Sequence, residues 1–262
     1  MAVSSDEVQL ALGGLHGLVE GALDDFWRTL DLSRPAIARD ALLEYVPLLV
    51  EQYGLKAASI AADWYDELRM DERLPDVFVS DLVEPIERDF VQKRVRYGAG
   101  SLFGDNPADA LAFTKGAVTG WVTQAFSDTI EANAARDPRS RGWVRKPEPG
   151  ACKFCLMLAS RSAESVHGGI YASREAATTV QGRGIERQLK TDSLGRTAMR
   201  GGGVKARGSQ EMGDKYHDHC RCTAVPIWPD TNIAAQHGFD PEDLYQRYLA
   251  GDFDMDAPDT HR

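Results

Sequence analysis

The chain has 262 residues, 43% of them apolar, with a net charge of −10 at neutral pH and a pI near 5.1. That length fits one large or two small domains, and the acidic balance excludes wholesale coating of nucleic acid while leaving room for a local basic patch. No apolar run approaches the ~18 residues of a membrane span, and "MAVSSDEVQLALGG" lacks the basic region of a secretory signal, so a soluble cytoplasmic chain without membrane contact is expected.

The first 135 or so residues read as helix. A first segment opens on capping serines and early acids, with Leu10, Leu15, Leu18 and Leu23 expected on one side. Ser33 and Pro35 signal a second start. That segment holds Pro47, where a kink or break is expected, and an Ala-rich half after Gly54 suited to close helix packing. A third helix is expected around Val79 to Tyr97. The clearest helix is "DNPADALAFTKGAVTGWVTQAFSDTIEANAARDP", with Asn106 as cap, Pro107 in the first turn and a stripe of Leu111, Val118, Val122 and Ala125. Asp137-Pro138 ends it. Trp64, Tyr65 and Trp121 read as core aromatics, and Glu20, Asp24, Asp25, Asp71 and Glu72 as solvated positions.

The texture then changes. "RGWVRK" and "CTAVPIW" favour strand, with Pro226 pointing to an edge. Between them residues 175–215 are glycine-rich and basic and show no period, which reads as one long loop. A short terminal helix is expected from Asp240 as cap and Pro241 in the first turn, stopping at Gly251. The fold class is therefore a mostly α N-terminal helical region (1–140), a small α+β domain (141–229) and a helical tail (230–262).

All four cysteines lie in two tight pairs, Cys152-x-x-Cys155 and Cys220-x-Cys222, with His217 and His219 beside the second. Two thiolates three residues apart in a turn can reach one ion, and a C-x-C on extended backbone puts both thiols on one face. Zinc takes four tetrahedral ligands from such residues. The spacing favours one structural zinc bound by Cys152, Cys155, Cys220 and Cys222, with His217 as alternate ligand or supporting donor. Lys153 and Arg221 would offset the negative charge of the thiolates. Buried unligated thiols and a Cys152–Cys155 redox pair remain as alternatives. Such a staple would hold together a region with little core of its own, closing a loop of about 65 residues.

The order "GWVRKPEPGACKFCLMLASR", "HGGIYAS", "KYHDHCRCTAVPIW" resembles the MuF-like minor capsid (head morphogenesis) proteins of actinobacterial tailed bacteriophages. That family is similar in carrying C-x-x-C followed, after a variable loop, by H-x-x-C-x-C, here Cys152, Cys155, His217, Cys220 and Cys222. The helical half resembles the family too. The resemblance implies a structural protein that enters the procapsid in few copies near the portal, meets portal, scaffold and major capsid proteins, and acts in assembly or DNA delivery. Some relatives are labelled capsid maturation proteases.

Rival chemistry has weaker support in the residues. A protease needs a nucleophile with a base, and Ser160, Ser162 and Ser165 near His167 read as solvated or capping serines. A zinc-stapled nuclease would use "HDH" with Asn232 and His237. Pro226 and Pro229 interrupt that run and the next helix is expected only near Pro241, so His237 reads as an exposed loop residue and Asn232 as a turn former. A zinc-dependent DNA-binding module is the third rival. The segment 182–207 carries Arg183, Arg187, Lys190, Arg196, Arg200, Lys205 and Arg207 against Glu186 and Asp192. It reads either as a solvated loop or as an arm for packaged DNA or an acidic portal surface.

Overall fold

The computed structural model describes residues 3–84, 86–151, 153–160, 162–163, 188–191, 197–200 and 222–250, of which 153, 154, 157, 158 and both short segments near 190 and 200 are described by backbone alone. It is mostly helical with little sheet. Four helices come first: α1 (Ser5–Arg28), α2 (Pro35–Asp71), α3 (Arg88–Gly98) and α4 (Ala108–Arg136), with a 3-10 turn over Ala99–Phe103. Then follow β1 (Gly142–Lys146), α5 (Lys153–Ser160), β2 (Gln188–Thr191), β3 (Thr197–Arg200), β4 (Thr223–Ile227), α6 (Ile233–His237) and α7 (Pro241–Ala250).

Helix α1 starts as expected, on a capping box in which the Ser4 side chain accepts from the Glu7 N–H and the Glu7 side chain accepts from the Ser4 N–H. Its buried face differs from the leucine stripe. Val8, Leu12, Leu15, His16, Val19 and Leu23 point inward, while Leu10 and Leu18 are 77% and 63% exposed. Those two leucines fall on the opposite side of a 3.6-residue period from Leu12 and Leu23.

Helix α2 runs through Pro47 without a break, which leaves the kink as the surviving half of the expectation of a kink or break. Proline at 47 has no N–H to give the Leu43 carbonyl one turn earlier. The Gln92 side chain of α3 supplies the missing donor, 3.0 Å from that carbonyl. Beyond Gly54 the helix meets α4 through small residues. A Cβ at Gly54 would stand 3.6 Å from Ala125, and Ala57, Ala58 and Ala61 are fully covered.

The third helix begins at Arg88, well after Val79. Pro85 disfavours helix at the residue before it. Residues 76–84 instead run as an irregular strap tied by side chains. Ser80 donates its N–H and hydroxyl to Asp66, and Asn133 both accepts from the Asp81 N–H and donates to the Asp81 carbonyl.

Helix α4 buries nearly every face and ends at Asp137, as the Asp-Pro pair requires. Asn106 does not cap it: its amide donates to the Asp109 carboxylate, and the start at Pro107 has no side-chain cap. Strands β1 and β4 pair antiparallel, with Trp143 opposite Pro226 and Lys146 opposite Thr223. The chain read as one loop over 175–215 contains a second antiparallel pair, β2–β3, with Leu189 opposite Met199. Four residues per strand are too few for alternation to register in a glycine-rich context.

One apolar cluster joins Val8 and Leu12 of α1, Trp64 and Tyr65 of α2, Phe126 and Ile130 of α4, Trp143 of β1, and Val225 with Trp228 at β4. The sheet thus borrows its core from the helices. A second cluster binds Leu23, Leu42, Val46, Val91, Val118 and Trp121 at the other end of the helices. No described helix is long and apolar enough to cross a membrane.

Candidate functional site

The antiparallel register of β1 and β4 decides what meets at their shared end. The chain leaves β1 at Lys146, opposite the point where it enters β4 at Thr223. A turn in which the Ala151 N–H donates to the Glu148 carbonyl, with Gly150 at φ +80°, reverses it into α5. Cys155 lies in the first turn of that helix, and Cys222 immediately precedes β4. The two thiols, each only 1% exposed, pack in one small cluster with Ala151.

The fold therefore brings together one cysteine from each pair. Cys152, His217 and Cys220 lie outside the described residues, as do His219, Ser165, His167 and the 182–207 arm apart from the backbone of β2 and β3. Among the described residues no group of three or more His, Cys, Asp or Glu side chains converges. The donor chemistry at the seam suits a soft thiolate-binding ion such as zinc. Two buried cysteines from distant segments share one cluster, and the start of α5 offers the partial positive charge that suits an anionic ligand.

Beside the thiols lies a buried polar junction absent from the sequence reading. The Lys146 ammonium, almost wholly covered, donates to Ser5 Oγ at 2.8 Å and pairs with the Asp6 carboxylate. Gln9 reaches both strands, donating to the Lys146 carbonyl and to Thr223 Oγ1. The start of α1 thus clamps the strand ends that carry the cysteine segments. His237 belongs to this junction and corrects the exposed-loop expectation. It closes α6 and is buried, and its carbonyl accepts from Ser5 Oγ at 3.5 Å. Burial, then the nearby Lys146 charge, holds its imidazole down at about 4. Asn232 is a helix cap, its side chain accepting from the Ala235 N–H, so a helix begins before Pro241. An imidazole this covered is out of reach of a substrate, which argues against the base role of a nuclease.

Asp137, which reads in sequence only as a helix stop, is the centre of a buried hydrogen-bond hub. Its carboxylate accepts from Arg69 Nε at 2.9 Å, Trp228 Nε1 at 3.1 Å, Tyr65 Oη at 3.2 Å and the Arg139 N–H at 2.9 Å. Burial opposes its charge, but hydrogen bonds from Arg69, Arg139 and Trp228 outweigh that and hold the carboxyl below its usual range. Burial, then the Asp137 charge, pushes the Tyr65 phenol up. This hub joins α2, the end of α4 and the residue after β4. The signal was available: an acid at a helix end, with Trp, Tyr and Arg at core-facing positions elsewhere. Ser160 and Ser162 are buried rather than solvated.

The family model described as "VG15 protein" matches residues 2–251. No curated protein and no solved structure matches the chain. The chain belongs to the VG15 protein family and is a phage protein.

Proposed function

We propose that this phage protein is a structural, MuF-like minor capsid protein acting in head morphogenesis at or near the portal, stapled by one zinc ion and without catalytic duty. The observation that carries the reading is the meeting of Cys155 and Cys222, buried against each other where β1 and β4 end. A site with both sulfurs covered and clamped by α1 suits holding segments together; a catalytic zinc needs an open position for water. Cys152, Cys155, Cys220 and Cys222 would hold the ion, with His217 as alternate ligand or supporting donor. A tetrathiolate zinc supplies rigidity and little Lewis acidity.

The partners that fit this role are portal, scaffold and major capsid proteins, met in the procapsid. The basic 182–207 arm, based on the staple, would reach packaged DNA or an acidic portal surface. Proheads assembled with and without this gene test the reading. Quantitative mass spectrometry of purified proheads should find the chain in few copies, and its deletion should lower the yield of filled heads. Normal filled heads without the protein contradict the role. Scaffold or capsid cleavage that depends on it would make it the maturation protease instead, and plasmid nicking with magnesium a nuclease.

A further inference from the structure

We infer that the outer face of α3 is a contact surface for nucleic acid with accessible bases. The helix RDFVQKRVRYG carries Arg88, Lys93, Arg94 and Arg96 against the single acid Asp89, inside a chain whose net charge is −10. Val91, Val95 and Gly98 face the core. Phe90, Lys93, Arg94 and Tyr97 follow at i, i+3, i+4 and i+7, and so share one solvent-facing flank of the helix over roughly 10 Å. All four are exposed, Tyr97 to 75%. Phe90, about half exposed, meets the buried Trp121 edge-on at 6.3 Å, whereas Tyr97 sits largely in water among the cations, which is costly for an aromatic ring.

The face is also fixed in shape. The Arg94 guanidinium lies over the rings of Tyr97 (5.9 Å) and Phe113 (4.7 Å), and those two rings lie 5.8 Å apart. Phe113 can lie there because Gly98 has no Cβ; one built at that position would collide with its ring. Arg88 is engaged by Glu44 at 2.6 Å, whereas Lys93 and Arg96 have no carboxylate partner among the described residues. Positive charge answers phosphate, and a ring open on one side answers a base: backbone tracking and base stacking together are how single strands are held without sequence readout. An acidic protein surface would use the cations and leave the exposed Tyr97 ring idle. The inference stands apart from the head-assembly reading, and either can fail alone.

The test is binding of the purified full chain to a fluorescent oligo-dT across a salt series, with a duplex of equal length and polyglutamate as competitors. Tyr97→Ala should weaken oligo-dT binding about tenfold and Tyr97→Phe should restore it. Lys93→Ala with Arg96→Ala should lower the salt slope by about 1.4. These residues lie on the solvent face, so circular dichroism should show the fold intact. Four results overturn the inference: no oligo-dT binding, binding unchanged by these variants but lost on deleting 183–207, duplex binding equally tight and indifferent to Tyr97→Ala, or polyglutamate competing as well as oligo-dT.

Discussion

Asp137 and Arg69 form a buried charge pair, with side chains 0% and 7% exposed. Removing one member leaves the other uncompensated in low dielectric, which typically costs about 3–5 kcal/mol. Asp137→Asn should therefore lower the urea midpoint sharply, while Tyr65→Phe, which removes one donor among several, should cost only about 1 kcal/mol. The group titrates in a definite direction. Its folded carboxyl is depressed, so its contribution is complete above the ordinary carboxylate range and is lost as pH falls through the lower folded value. His237 acts in a separate window. Its folded value is near 4 against an ordinary 6.5, so the unfolded chain takes the proton first as pH drops. The His237 contribution should lower stability between about pH 6.5 and about pH 4, by roughly 3 kcal/mol in all, and add no further loss below. His237→Gln should flatten that slope in denaturation measured at pH 7, 5.5 and 4.5. A slope unchanged by the substitution would place the proton uptake elsewhere.

Helix α2 shows what an element can absorb. Pro47 leaves the Leu43 carbonyl without its helical donor, and Gln92 from α3 replaces it. Gln92→Ala should cost about 1–2 kcal/mol by leaving that acceptor unmet. With Pro47→Ala in place the residue-47 N–H returns, so the same change should cost much less; a double-mutant cycle by thermal unfolding checks the coupling. Additive costs would show that Gln92 matters only through packing. The case explains where the sequence was legible and where it was not. The capping box of α1, the stop at Asp137, the strand character of β1 and β4, and the Asp240 cap of α7 are local signals, and the structure carries each of them. Rescue of Pro47 by a residue 45 positions away is non-local and leaves no mark in its neighbourhood. The same holds for His237, whose burial depends on Lys146 and the start of α1. The leucine stripe holds at Leu15 and Leu23 and fails at Leu10 and Leu18, because leucine type does not override angular phase and Val8 and Leu12 complete the inward face.

At the scale of the molecule, the helices lend the small sheet its core, and the sheet brings the two cysteine segments to one seam. Spacing named the four thiols as one constellation. It could not say that β1 and β4 would pair, which is what sets Cys222 beside Cys155. The central claim is that a metal ion closes this seam. Folding of the seam would then be linked to metal, because ligands brought together only in the folded chain turn binding energy into stability. The measurement that decides it is the zinc content of the full chain, purified without added metal and analysed after dialysis against a weak chelator. The account predicts about one zinc per chain, lost in Cys155→Ser and in Cys222→Ser together with cooperative unfolding of the C-terminal region. A metal-free protein that unfolds in one cooperative transition, unchanged by added zinc, would contradict it.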